Sequence, residues 1–491
     1  MRTLNLKHIE QSLDVVKIIK GACSHYNEIC FDSRNVSGDA IFVAVPGTSV
    51  DGHEYIPQAV KNGAKLIVCE KLPQVRNEGI GYIQVKDAAV ALSRLASEFY
   101  GNPSKELKLV GITGTNGKTT TATMLYNLME NMGYKAGLLS TIRNYIHNSE
   151  VRATHTTPDP VQINRLMAEM VDTGCEFCFM EVSSHAISQK RIDGLDFDVA
   201  VFTNITHDHL DYHKTFSNYV QAKKRFFDNL DKHAFALVNT DDKHASVMVQ
   251  NSKATKKSFA LRTMADYRLS IGEKHFDGMQ LFINGNELWT PVIGEYNACN
   301  MLAAFATADL LGLPQVEILK ALSELSPVEG RLETIRSDDG KTAVVDYAHT
   351  PDALENVLTT LFDLKREGRQ LICVCGAGGD RDTKKRPEMG RIAALYSNKI
   401  IITSDNPRSE KPESIIEDVE SGVPTDKVVH TLKIADRKEA IKMAWNLANS
   451  GDLILVAGKG HETYQEINGV KHHFDDREVI YELINKRLNK S

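Results

Sequence analysis

GITGTNGKTTT (Gly111–Thr121) stands between ELKLV (106–110), an apolar-rich strand candidate, and ATMLYNLMENMG (122–133), which reads as a helix. A glycine-rich turn from strand into helix exposes backbone N–H groups at a helix N-terminus. Those donors and the helix dipole suit a phosphate chain. Lys118 would bring a point charge to the terminal phosphates, and Thr119 a hydroxyl to Mg²⁺. The spacing is G-x-x-G-x-x-G-K-T, with Ile112 where the commoner P-loop pattern has a glycine. A bare strand–helix turn would not need the Lys and Thr in register.

Outward from this loop, apolar strands alternate with helical stretches: FCFMEVSS (177–184), DVAVFTNI (198–205) and FALVNTDD (235–242). That rhythm predicts a P-loop-type parallel sheet with helices on both faces. TAVVDYAH (342–349), LICVCGAGG (371–379), KIIITSDNPR (399–408) and DLILVAGKGHE (452–462) repeat it and predict a C-terminal Rossmann-like α/β domain. AIFVAVPG (40–47) and AKLIVCE (64–70) predict a smaller N-terminal α/β domain. Gly, Pro and charge mix in EFYGNPSKELKL (98–109) and ELSPVEGRLE (324–333), so boundaries are expected near Lys105 and Pro327. The expected domains are 1–105, 106–327 and 328–491. Polar residues follow the strands, and open α/β sheets bind ligands at the carboxyl ends of their strands.

The 491 residues, 42% hydrophobic and 25% charged, fit a globular protein of about three domains. A net charge of −6 implies no general affinity for nucleic acid or anionic membrane. No apolar run has the length of a membrane helix, and MRTLNLKHIEQSLDVVKIIKG lacks the features of a signal peptide, so a cytoplasmic protein is expected. Eight cysteines in so long a chain do not make a disulfide scaffold. Cys175 with Cys178, and Cys373 with Cys375, sit in buried-strand patterns where Cys serves as a small hydrophobe, and no second pair has zinc-ligand spacing.

The chain resembles the Mur ligase family over nearly its whole length. The resemblance rests on motifs in one order: DSR (32–34), GTNGKTT (114–120), TTPD (156–159), EVSSHAISQKR (181–191), TNITHDHLDYH (203–213) and YVQAKKRFF (219–227). GEYNACNMLAA (294–304), EGR (329–331), DYAHTPD (346–352), GAGGDRD (376–382), DNPR (405–408) and GKGHE (458–462) complete it. The family comprises ATP-dependent amide-forming ligases that extend the peptide of the cell-wall precursor. The last motifs resemble the branch that adds meso-diaminopimelate to UDP-N-acetylmuramoyl-L-alanyl-D-glutamate.

The resemblance implies an acyl-phosphate route, Mg²⁺ as cofactor, ATP as substrate, and a monomer. It implies that Gly114, Thr115, Asn116, Gly117, Lys118, Thr119 and Thr120 cradle the ATP phosphates, with Asn297 and Asn300 by the adenine and Arg331 and Asp346 closing from the third domain. Thr119 and Glu181 would hold one Mg²⁺. His209 would help hold a second with Lys223, carbamylated to N6-carboxylysine; read alone, AKKR is only a basic helix face. Lys118, Glu181, His209 and Lys223 are the implied catalytic set. Ser33, with PGTSVDGH (46–53), would meet the uridine end, and Thr156, Thr157, Ser183, Gln189 and Arg191 the muramoyl-dipeptide. His155 stands where some relatives carry Asn. Arg381, Asp405, Asn406, Pro407, Arg408, Gly458 and Glu462 would take diaminopimelate. Arg408 would meet its distal carboxylate, and Glu462 the distal ammonium. His349 is a nucleotide neighbour with no assigned proton role.

Two other readings share features. A ligase adding D-Ala-D-Ala, or a folate polyglutamate ligase, would share the ATP site but lack the ordered GGDRD, DNPR and GKGHE set. A P-loop regulatory protein would not need metal-ligand residues downstream of the loop.

Overall fold

The computed structural model describes residues 2–47, 50–153 and 155–488, with the side chains of 486–488 excluded. Three main sheets organise the chain. The first runs Val15–Ile19, Gly81–Val85, Ala64–Cys69, Ala40–Ala44, Glu28–Cys30, parallel except for its antiparallel first strand. Ala40–Ala44 is buried along its whole length, as a strand covered on both faces must be.

The central sheet has eleven strands. Its parallel heart is ordered Ala136–Leu139, Phe177–Glu181, Lys108–Thr113, Val199–Phe202, Phe235–Asn239, Thr255–Ala260. Tyr267–His275, Gly278–Ile283 and Asn286–Thr290 extend one edge, the last two pairings antiparallel. Nothing in the alternating apolar pattern pointed to this extension. The strand Lys108–Thr113 lies in the middle, so the loop after it opens at the centre of the sheet's carboxyl edge. The helix Lys118–Asn131 packs its Met124, Leu125 and Leu128 with Met301, Leu302 and Phe305 of the helix Glu295–Leu310 in one core.

The third sheet is ordered Glu333–Arg336, Thr342–Asp346, Leu453–Ala457, Leu371–Cys375, Lys399–Ile402, Thr431–Lys433, parallel apart from its first strand. The three-layered α/β class expected from the alternation is the class observed. Cys175, Cys178, Cys373 and Cys375 are buried free thiols. No helix among the described residues is long and apolar enough to cross a membrane.

Candidate active site

Gly111 is a strand residue: a Cβ on it would lie 2.6 Å from the Phe226 ring and 2.7 Å from Phe197. The cradle itself is Gly114–Lys118. A Cβ on Gly114 would overlap Thr203 Oγ1, and Gly117 takes φ +87° with Asn300 Oδ1 only 2.5 Å from where a Cβ would be. Both positions therefore require glycine. Side chains from the next strand end lock the loop. Thr203 Oγ1 donates to Asn116 O at 2.6 Å, and Asn116 N donates to Asn204 Oδ1 at 2.9 Å. Thr115 Oγ1 meets the Tyr219 hydroxyl at 3.0 Å.

Lys118 folds back on the loop, donating to Gly114 O at 2.9 Å and Thr115 O at 2.7 Å. Lys223, on the helix Phe216–Asp228, reaches the same carbonyl: its Nζ donates to Gly114 O at 2.8 Å and lies 4.9 Å from the centre of the Tyr219 ring. Its side chain is buried. Burial lowers the pKa of both amines, that of Lys223 well below the usual lysine range, and the nearby Lys118 charge lowers it further.

Thr119 Oγ1 donates to Glu181 Oε2 at 2.9 Å, and Thr141 N donates to Glu181 Oε1 at 2.7 Å. A hydroxyl and a carboxylate, hard oxygens beside a phosphate cradle, fit a Mg²⁺ that takes its other ligands from phosphate and water. Among the described residues, no group of three or more His, Cys, Asp and Glu is arranged to hold a metal. His209 takes φ +54°, and its ring packs edge-on against His185 at 5.1 Å between centroids. Burial lowers its pKa, favouring the neutral, ligating imidazole. Lys223 as a bare amine is a donor and does not fit a metal.

Beside Glu181 lies a connected polar group. Thr157 Oγ1 donates to Glu181 O at 2.8 Å and accepts from Ser183 N at 3.0 Å. Arg191 Nη1 donates to Thr157 O at 2.6 Å and its Nη2 to Gln189 Oε1 at 2.6 Å. Thr156 meets Thr141 Oγ1 at 3.1 Å. Thr156, Thr157, Ser183, Gln189 and Arg191 thus come together. Ser33 is buried in a short turn of the N-terminal domain, on a separate sheet. Part of PGTSVDGH, Thr48 and Ser49, lies outside the described residues.

A cavity of about 300 Å³ adjoins the loop between the central and C-terminal domains, lined by Gly117, Thr120, Asn300, Tyr296, Arg331 and Asp346 among others. Asn300 faces it. Asn297 stands behind, its Oδ1 accepting from Asn300 Nδ2 at 3.3 Å and its own amide donating to Ile293 O. The Arg331 guanidinium lies 4.7 Å from the Tyr347 ring centre. Asp346 accepts Leu332 N at 2.8 Å, and burial raises its pKa to about 6. Asn116 Nδ2 donates to Asp352 Oδ2 at 2.5 Å, tying the loop to the C-terminal domain.

At the carboxyl ends of the third sheet, a Cβ on Gly458 would press on Asp405 Oδ2 at 2.4 Å, so the two turns touch. Asp405 and Asn406 are buried. Asn406 Nδ2 donates to Glu462 Oε2 at 2.9 Å. Lys459, fully buried, donates to the same oxygen at 2.9 Å. Glu462 Oε1 accepts from the Tyr347 hydroxyl at 3.4 Å, so Glu462 is held on both oxygens, contacts the motif GKGHE concealed. Arg408, after Pro407, takes φ +51° and its Nη1 donates to Gly379 O at 2.6 Å. Arg381 Nη1 lies 3.9 Å from Asp211 Oδ2 of the central domain. Thr141, Asn204, Asp352 and Lys459 carry the site without having been singled out; each meets its partner through the fold or through a role the motif did not reveal.

A central sheet with a glycine-rich loop at its carboxyl edge, flanked by two smaller α/β domains, defines a three-domain protein of the nucleotide-binding α/β class. Residues 25–100 match the pattern described as Mur ligase family, catalytic domain, residues 112–308 the Mur ligase middle domain, and residues 330–460 the Mur ligase, glutamate ligase domain. The chain belongs to the Mur ligase family. The Bacteroides fragilis protein named UDP-N-acetylmuramoyl-L-alanyl-D-glutamate–2,6-diaminopimelate ligase is 52% identical, covering 98% of this chain and 99% of that protein. A Parabacteroides distasonis protein of the same name is 54% identical over 92% of this chain and 93% of its own. A solved structure of that name, 32% identical, superposes with a TM-score of 0.69 over 99% of each chain. MurF from Acinetobacter baumannii, 18% identical with a TM-score of 0.67 over 99% of each chain, shares the fold.

Proposed function

We propose that the chain is an ATP-dependent ligase joining an amino group of meso-2,6-diaminopimelate to the D-glutamyl carboxylate of UDP-N-acetylmuramoyl-L-alanyl-D-glutamate. The product is the UDP-muramoyl-tripeptide of peptidoglycan synthesis. Relatives at 52% and 54% identity carry that name. The observation that carries the reading is the charge pattern at the third sheet: the anion Glu462, bonded to Asn406 and Lys459, and the cation Arg408, two residues after Asn406, with its Nη1 held on Gly379 O. A zwitterionic side-chain end, carboxylate beside ammonium, is complementary to that pair.

Amide formation from a carboxylate in water is uphill, so the carboxylate takes the terminal phosphoryl group of ATP, and ADP leaves. The amine then attacks the acyl phosphate, and phosphate departs from the tetrahedral intermediate. The loop N–H groups and Lys118 would hold the phosphates. Thr119 and Glu181 would hold Mg²⁺, which when bound neutralises phosphate charge as the carboxylate approaches. Thr157, Ser183, Gln189 and Arg191 would fix the muramoyl-dipeptide, and Ser33 its uridine end. Asn300, Arg331 and Asp346 would enclose the nucleotide. We take 1–105, 106–327 and 328–491 as the units that carry these three jobs.

Phosphate release from ATP, measured with the UDP-muramoyl-dipeptide and a panel of amino acids, tests the reading. Release should require both co-substrates and favour meso-diaminopimelate over L-lysine. Losing a desolvated charge partner costs about 2–5 kcal/mol, so Arg408→Ala should collapse that preference while leaving ATP affinity nearly unchanged. A wild type that prefers lysine, or an unchanged ratio in the variant, overturns the choice of amino acid.

A further inference from the structure

The turn that carries Arg408 is strapped by a hairpin, Tyr464–Ile467 paired with Val470–His473. Arg408 sits at φ +51°, a conformation that costs a non-glycine residue about 1–3 kcal/mol and persists only where neighbours impose it. The hairpin imposes it from both sides. Arg408 N donates to Glu466 O at 3.1 Å, and Asn468 N donates to Arg408 O at 2.8 Å. Glu466 N donates to Asn406 Oδ1 at 2.9 Å, so one hairpin residue clamps two residues of the turn.

The side chain of Glu466 continues what its backbone begins. Its Oε2 lies 3.5 Å from Arg408 Nε, while Arg408 Nη1 is held 2.6 Å from Gly379 O. A guanidinium recognises a carboxylate through its planar fork, so the value of Arg408 depends on the plane being fixed. Two anchors on different nitrogens, from two different loops, fix it. We propose that Glu466 is a positioning residue that sets the Arg408 fork for the distal carboxylate of the incoming amino acid. The inference rests on the reading of this pocket as the diaminopimelate site.

Glu466 has two effects of opposite sign on an anionic ligand. Its charge offsets that of Arg408 and weakens the pull. Its contact aims the fork and strengthens the fit. Glutamine keeps an acceptor for Nε without the charge, and alanine keeps neither, so the pair of variants separates the effects. Both residues are part-exposed, so the pair adds little to stability and both variants should fold.

The test is steady-state kinetics of wild type, Glu466→Ala and Glu466→Gln with meso-diaminopimelate, L-lysine and ATP. Positioning requires that Glu466→Ala raise the KM for diaminopimelate about three- to tenfold, with kcat and the KM for ATP changed less than about twofold. Glu466→Gln should restore most of the loss. An unchanged KM in Glu466→Ala, or a KM lowered alike in both variants, overturns the proposal, the second result showing Glu466 to act as a competing charge. A wild type that uses lysine but not diaminopimelate overturns the pocket reading and this role with it. A wild type that uses diaminopimelate beside an indifferent Glu466→Ala overturns only the positioning role.

Discussion

The amine of Lys223 is buried against a carbonyl, a hydroxyl and an aromatic ring, with the cation of Lys118 bound to the same carbonyl. Burial and like charge both favour its neutral form. A neutral amine is what CO₂ needs, and we propose that Lys223 takes it up: nitrogen forms the N–C bond, one N–H proton leaves to solvent, and the neutral amine becomes a carboxylate-like anion. The carbamate would attract Lys118, whose charge disfavours a protonated Lys223, and would give the helix an oxygen suited to Mg²⁺. Protein equilibrated with ¹³C-bicarbonate should show a carbamate carbon resonance that Lys223→Ala lacks. The variant should lose more than about tenfold in turnover, with acetate restoring part of it. A loss of turnover with no carbamate signal and no rescue by acetate would show Lys223 to be only a loop anchor. The proposed carbamate comes only from the family motif, since AKKR by itself is a basic helix face. The glycine turn between strand and helix was legible directly, because it is built from consecutive residues. Thr141 and Asp352 were not, because they meet Glu181 and Asn116 across 40 and 236 residues of chain.

At the level of elements, the quoted stretch divides. Its first glycine belongs to the strand and its last two to the loop, although all three share one spacing. Gly111 makes room for Phe226, three residues beyond Lys223 on the same helix, so strand packing and site geometry are coupled. Adding a methyl group there should cost about 1–3 kcal/mol in overpacking. Gly111→Ala should therefore lower the thermal midpoint by several degrees, and Phe226→Leu in the same chain should recover part of the loss. Equal midpoints for wild type and Gly111→Ala would show that the ring can move aside freely. The parallel strands were readable because each is a short apolar run ending in polar residues. The antiparallel extension Tyr267–Thr290 buries mainly one face and mixes polar with apolar residues, and the strand Val470–His473 of the hairpin is exposed throughout, so they carry no such signature.

For the whole molecule, the seam between the central and C-terminal domains is crossed at several points. Asn116 bonds Asp352, Arg143 lies 2.9 Å from Glu329, and His207 lies 3.6 Å from Asp382. The Asn116 contact is the one that touches the phosphate loop. Asp352→Ala leaves a part-buried amide unpaired, which costs about 1–3 kcal/mol. It should weaken ADP binding, measured by calorimetry, and enlarge the radius of gyration, while the central domain unfolds at its usual temperature. Unchanged ADP affinity would show that the loop keeps its shape without the third domain.

The same seam sets the terms for exchanging parts among proteins of this architecture. The pocket proposed to choose the amine is carried on its own sheet, apart from the glycine loop, which invites moving it as a block. Arg331, Asp346 and Asp352 belong to that block by chain position but meet the central domain, the first two lining the cavity beside the glycine loop and the third bonding Asn116. A chimera joined before Arg331 would import a foreign half of that cavity's lining along with the new third sheet. One joined after Asp352 would keep the native lining but split the strand Thr342–Asp346 from its neighbour Leu453–Ala457. The graft that changes the building block must therefore re-match Asn116 and Tyr296, on the other side of the seam, to whatever residues arrive.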